Sequence, residues 1–168
     1  WLWQKGFLAL TGPPRGDDEN FADVDWSKTE AYALGLNGLY LNIAGREEHG
    51  VLPRGAQTEA VMRRLVAELT QYRDPLNGRQ VVETVPATGA PQGPDLIVGY
   101  ARGYRASWET ALGAAPPAIL EDNTDLWIGD HCINAADVPG VLLSNRQIQA
   151  QQPRLKDVPV TILKLFGF

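Results

Sequence analysis

Asp95-Leu96-Ile97-Val98-Gly99-Tyr100 is a compact apolar run between turn-forming residues. A short apolar run bounded in this way is typical of a buried β-strand, because both faces of a fully covered strand are apolar. Working outward from it, three further segments have the composition of strands. They are residues 38–43, 80–85 and 139–144.

Two other segments have the periodicity of helices. Residues 58–72 place Val61, Leu65 and Leu69 at helical spacing on one face, with charged residues elsewhere. Residues 158–166 are rich in apolar residues, and the helix predicted there ends before Gly167. Strands interleaved with helices predict an α/β fold with a mostly parallel sheet, in which residues 1–168 form a single domain.

The composition excludes several classes of protein. The chain has 168 residues, of which 44% are hydrophobic and 21% charged, and a net charge of −5. Because Lys and Arg do not cluster, we expect no nucleic-acid-binding surface. No apolar run approaches the roughly 20 residues of a membrane span. The single cysteine cannot form an internal disulfide and therefore indicates no compartment.

Gly129-Asp130-His131-Cys132 concentrates possible metal ligands and proton carriers in one segment. His131 could bind a metal, or it could be a buried histidine that hydrogen-bonds to a carboxylate. A catalytic zinc needs roughly three protein ligands, yet His49, His131 and Cys132 are the only nitrogen or sulfur candidates. We therefore expect no self-contained zinc site. Cys132 could act as a nucleophile with His49 as base, but a lone cysteine is more often a small buried hydrophobe.

Gly45-Arg46-Glu47-Glu48-His49-Gly50 follows a predicted strand. A glycine-flanked arginine at this position could bind an anionic group or could pin its loop through paired carboxylates. Of these two roles, the pattern favours the one in which Arg46 holds its own loop through carboxylates.

Several segments occur in the order and at the spacing of one known family. They are Asp25-Trp26-Ser27-Lys28-Thr29, residues 31–42, Gly45-Arg46-Glu47, Gly50-Val51, Pro94-Asp95-Leu96-Ile97-Val98-Gly99-Tyr100, Ser107-Trp108-Glu109-Thr110 and Gly129-Asp130-His131. Together they resemble the type I phosphodiesterase/nucleotide pyrophosphatase family of the alkaline phosphatase superfamily, over nearly the whole chain.

The resemblance implies an alkaline-phosphatase-like α/β sandwich with a two-metal site at the edge of its sheet. In that site a threonine or serine attacks phosphorus, and two metal ions stabilise the charged oxygens. One metal ligand maps onto this chain, His131. The nucleophile and an upstream Asp-His pair have no counterpart here. Glu48 stands where relatives often carry proline, and His49 falls at a variable position.

The resemblance therefore implies that this chain is the C-terminal part of a metal-dependent hydrolase of small phosphoesters. We expect the intact protein to hold a divalent metal, two zinc ions, and these residues alone to bind none tightly. The separate chain is expected to be inactive and to self-associate or expose a sheet edge. One alternative is a non-catalytic binding or interaction module with the same fold. Another is a hydrolase that uses Cys132 and His49.

Overall fold

A computed structural model describes residues 1–16, 20–129, 132–148 and 150–168. The chain divides into two compact units, Trp1–Val138 and Pro139–Phe168. Among the described residues, the first unit contains five strands in two sheets, two helices and a 3₁₀ turn at Ala135–Asp137. The described part of the second unit contains one helix.

The larger sheet is built on a hairpin. Strands β1 (Ala31–Leu34) and β2 (Gly38–Leu41) pair antiparallel. The three-residue connection includes Gly35 with φ 74°, a left-handed conformation that glycine adopts without steric cost. β4 (Leu96–Ile97) pairs antiparallel with the other edge of β2, so that the strand order is β1-β2-β4.

The smaller sheet has two strands. β3 (Val82–Thr84) pairs antiparallel with β5 (Gly99–Tyr100), with an irregular register in β3. Only Val98 separates β4 from β5 along the chain. The run predicted as one buried strand, residues 95–100, therefore supplies a strand to each sheet.

The prediction of a mostly parallel sheet, as in an alkaline-phosphatase-like sandwich, is wrong. Both sheets are antiparallel. The prediction followed from the alternation of strands and helices, but it did not recognise β1. A three-residue connection can join only antiparallel neighbours, because a parallel pair needs a crossover of a dozen or more residues.

Helix α1 (Ala56–Gln71) confirms the predicted helix over 58–72. Val61, Leu65 and Leu69 are buried, as their spacing predicts. The helix ends at Gln71, and the backbone of the next residue, Tyr72, is extended. A second, short helix, α2 (Trp108–Ala111), begins after Ser107, and the Ser107 side chain accepts a hydrogen bond from the Glu109 backbone N–H.

One apolar core lies between α1 and the two sheets. Its buried members come from both sheets, from α1 and from the loops between them. They are Phe7, Ala31, Leu39, Leu41, Ile43, Leu52, Val61, Leu65, Leu69, Val81, Val82, Val85, Leu96 and Val98.

The turn after α1 is organised by a buried carboxylate, Asp74. It accepts hydrogen bonds from the Tyr104 hydroxyl (2.7 Å), the Leu76 backbone N–H (2.8 Å) and the Asn77 side-chain amide (2.6 Å). These donors favour the charged form, and they hold the pKa of Asp74 below its ordinary value of 3.8, the Tyr104 hydroxyl contributing most.

The second unit contains α3 (Asp157–Leu165), which confirms the predicted helix over 158–166. The predicted strand over 139–144 is wrong, since these residues form no strand and Val141, Leu142 and Leu143 are exposed. An apolar run becomes a strand only with a pairing partner, and among the described residues none pairs with this segment.

In the described ranges, no helix combines the length and the apolar character that crossing a membrane requires.

Truncation of Leu65 to alanine is predicted to destabilise the first unit by about 2–5 kcal/mol, because it leaves a cavity at the centre of the core. Leu65 is 0% exposed, whereas Leu76 is 92% exposed and provides a matched control. Leu76→Ala should change the free energy of unfolding by less than about 0.5 kcal/mol. Urea denaturation measures both, and equal effects of the two variants would contradict this picture of the core.

Replacement of Tyr104 by phenylalanine is predicted to raise the pKa of Asp74 towards 3.8. In the native protein, the depressed pKa contributes stability that is present above about pH 3.8 and is lost as the pH falls through the folded value. Tyr104→Phe should shrink this acid-dependent contribution. NMR titration of the Asp74 carboxyl carbon measures the shift, with Tyr40→Phe as the control. An unchanged titration in Tyr104→Phe would disprove the assignment.

Candidate functional site

Arg46 is the centre of a charged network beside the hairpin. Its Nη1 and Nη2 donate to the two carboxylate oxygens of Asp95 at 2.8 and 2.7 Å, although the two residues are 49 positions apart. Its Nε donates to Glu47 at 2.8 and 3.0 Å, and Nη2 also donates to the Leu41 carbonyl at 2.7 Å. The prediction that Arg46 pins its loop through paired carboxylates is confirmed.

Both carboxylates also accept backbone N–H groups. Asp95 Oδ2 accepts from Leu41 N at 2.7 Å, and Glu47 Oε2 accepts from Ile43 N at 3.1 Å. The side chains of Arg46 and Asp95 are 15% and 11% exposed. Partial burial makes these hydrogen bonds strong. The pKa of Arg46 is raised, mainly by its hydrogen bonds to Asp95, so the guanidinium stays charged.

The loop that carries Arg46 returns closely to the end of β2. Val51 N and Leu52 N both donate to the Asn42 carbonyl at 2.9 Å. A Cβ atom at Gly50 would lie 2.2 Å from the Ile43 carbonyl oxygen, so only glycine fits there. The glycine spacing of the motif therefore has a steric cause.

Two tyrosines on the hairpin form an aromatic wall next to this loop. Tyr32 and Tyr40 are opposite each other across β1 and β2, with ring centroids 5.2 Å apart and an interplanar angle of 11°. The Tyr32 hydroxyl lies 3.4 Å from Glu47 Oε1. Burial, followed by the nearby charge of Glu47, raises the pKa of Tyr32 to about 12. The phenol is therefore neutral at physiological pH.

A cleft of about 620 Å³ opens over this wall. The hairpin tyrosines, the loop at residues 45–47, Arg54 and the loop at residues 91–93 line it. The last of these loops is fixed at its base, where the Thr88 N–H donates to the Asp95 carbonyl at 3.0 Å and the Thr88 hydroxyl contacts the Pro94 carbonyl. Residues from separate parts of the chain thus form one concave surface.

The metal ligand that the resemblance implies, His131, lies outside the described residues together with Asp130. The role of His131 remains a prediction. The residues that follow it are fixed to the smaller sheet, where Ile133 bridges Tyr100 and the Asn134 N–H donates to the Tyr100 carbonyl at 2.8 Å.

The Asn134 side chain adds a second attachment of this segment to β3. Its Nδ2 donates to Glu83 Oε2 at 2.6 Å, and its Oδ1 accepts from the Thr84 hydroxyl at 3.2 Å. Nearby, Arg102 Nε donates to Asp137 Oδ1 at 2.8 Å. The segment from Ile133 to Asp137 is thereby held against β3 and β5.

The second histidine and the cysteine occupy different parts of the first unit. His49 is exposed in the loop after β2, and its carbonyl accepts a hydrogen bond from Asn42 Nδ2 at 3.1 Å. Cys132 is half-buried and precedes the residue that bridges β5. A hydrolase that uses these two residues remains an untested hypothesis.

The described residues alone do not assemble a metal site. Within them, no group of three or more His, Cys, Asp or Glu side chains is placed to hold an ion. His131 would add one nitrogen donor of the kind that zinc prefers. One donor does not complete a two-metal site.

Comparisons of the chain with protein-family models, with curated proteins and with solved structures find no match.

Sequence reasoning missed two parts of this region. The attachment through Asn134 involves polar residues in exposed or partly exposed positions, for which spacing carries no signal. The tyrosine wall depends on β1, which was not predicted. Asp95 offered a signal, because a charged residue at the start of a buried strand requires a partner.

Substitution of Arg46 by lysine is predicted to destabilise the first unit by about 2–3 kcal/mol, because a single ammonium cannot satisfy two partly buried carboxylates. Asp95→Asn should have a comparable effect. The double variant should lose less stability than the sum of the two, since both changes break the same pair.

The ion pair of exposed Lys28 with half-buried Asp25, 2.7 Å apart, is the control. Lys28→Ala should destabilise the protein much less than Arg46→Lys, because solvent screens this ion pair. Chemical denaturation at constant pH measures the free energy of unfolding of the two single variants, the double variant and Lys28→Ala. Strict additivity of Arg46→Lys and Asp95→Asn would show that the pair is not coupled.

Proposed function

We propose that this chain is the C-terminal part of a metal-dependent hydrolase of phosphoesters, of the phosphodiester or nucleotide pyrophosphate type. The observation that carries the proposal is the ordered series of motifs from Asp25 to His131. The antiparallel sheets do not support this function, whose support comes from the residues of the motifs.

Contacts between the motifs support the proposal. Gly45-Arg46-Glu47 and Pro94-Asp95 are far apart in the sequence but are joined by the bidentate pair of Arg46 and Asp95. The two motifs therefore work as one structural unit.

In the proposed enzyme, His131 supplies one imidazole nitrogen to the metal site. Bound metal would stabilise the charged oxygens of the phosphoester. Asn134, held by Glu83 and Thr84, fixes the chain three residues after His131. Residues outside this chain supply the nucleophile and the remaining ligands, so the chain alone has no activity.

The test uses the protein encoded by the complete reading frame that contains these 168 residues. It should hydrolyse bis(4-nitrophenyl) phosphate in the presence of Zn²⁺. His131→Ala should lower kcat/KM by about 100-fold or more, the scale of losing a group that stabilises charge in the transition state. His49→Ala, which alters the only other histidine, should leave kcat/KM within about twofold.

Metal content measured on the same samples separates loss of a ligand from loss of folding. His131→Ala should bind less zinc with an unchanged circular dichroism spectrum, whereas His49→Ala should bind the full amount. Zinc-dependent turnover by the 168-residue chain alone would contradict the proposal. So would full activity of His131→Ala. A complete protein with neither turnover nor zinc would favour the non-catalytic binding module.

A further inference from the structure

The cleft over Tyr32 and Tyr40 has an unequal supply of hydrogen-bonding groups. The carboxylate oxygens of Glu47 are already used, because they accept from Arg46 and Ile43 N. The Arg54 guanidinium can only donate, and among the described residues no acceptor pairs with it. The Gln92 amide and the Tyr40 hydroxyl, which also line the cleft, can donate as well as accept. A ligand that places acceptor atoms beside Arg54 therefore fits this surface.

The charges of the cleft favour a single negative charge on that ligand. Arg46 is neutralised by Glu47 and Asp95, which together carry one more negative charge than it does. Arg54 is exposed and forms no ion pair in the part of the chain that the structure describes. The single negative charge of a monoanion beside Arg54 is balanced by the guanidinium. The second negative charge of a dianion is not balanced and is repelled by the carboxylates of Glu47 and Asp95. A planar carboxylate also matches the fork of a guanidinium.

The tyrosine wall favours a planar ring on the same ligand. The stacked rings of Tyr32 and Tyr40 present aromatic surface to the cleft, and aromatic groups prefer offset or edge-on contact with such rings. The volume of about 620 Å³ lies within the range of small-molecule sites.

We propose that this cleft binds a small aromatic monocarboxylate, with the carboxylate on Arg54 and the ring against Tyr40. The site requires no metal and does not rest on the proposed hydrolase activity. Gln92, which also lines the cleft, donates to the same carboxylate.

The test is isothermal titration of the 168-residue chain in EDTA, which removes any metal. Four probes separate the contributions: 2-naphthoate, the uncharged 2-naphthol, acetate without a ring, and the dianionic 2-naphthyl phosphate. 2-Naphthoate should bind at least about tenfold more tightly than each of the others, because only it satisfies ring, charge and shape. Binding of naphthyl phosphate as tight as that of naphthoate would overturn the assignment to a monocarboxylate.

Variants locate the site. Arg54→Ala should weaken 2-naphthoate binding by about tenfold or more, and Tyr40→Leu should weaken it while leaving acetate binding unchanged. Arg63→Ala is the matched control, since Arg63 is an exposed arginine on α1 that pairs with Glu59 outside the cleft. Circular dichroism confirms folding of each variant. No binding by the native chain, or equal losses in Arg54→Ala and Arg63→Ala, would disprove the site.

Discussion

The ion pair of Arg46 and Asp95 is the constraint on which the larger sheet and its neighbouring loops depend. The guanidinium holds the end of β2 through the Leu41 carbonyl, the start of β4 through Asp95, and its own loop through Glu47. Partly buried charges are costly unless every partner is satisfied. Here the carboxylates also accept backbone N–H groups, so the network is complete only when all three segments are in place.

Sequence patterns predicted the elements whose apolar periodicity lies within the element itself. The spacing of Val61, Leu65 and Leu69 identifies α1 because the apolar period of a helix is contained in the helix itself. The direction of the sheets could not be predicted in the same way, since pairing joins residues far apart in the chain. The short strand Ala31–Leu34 has little apolar alternation of its own. Because this strand was not predicted, the hairpin could not be predicted either.

The candidate site shows the same division. The pinning role of Arg46 could be predicted from its glycines and the adjacent Glu47, but its second partner, Asp95, lies too far along the sequence for spacing to indicate it. The cleft combines motif residues of the hairpin and of the Arg46 loop with Arg54 and residues 91–93, which no motif had indicated. The attachment of Asn134 to β3 likewise depends on a contact across about 50 residues, and it becomes visible only in the fold.

The passage of one short run through both sheets has a mechanical consequence. Because only Val98 separates β4 from β5, neither sheet can lose its strand without pulling on the other. Val98 is itself buried in the shared core, so it cannot act as a flexible hinge. The two sheets should therefore open together as one cooperative unit, and their slowest-exchanging amides should report a single opening free energy.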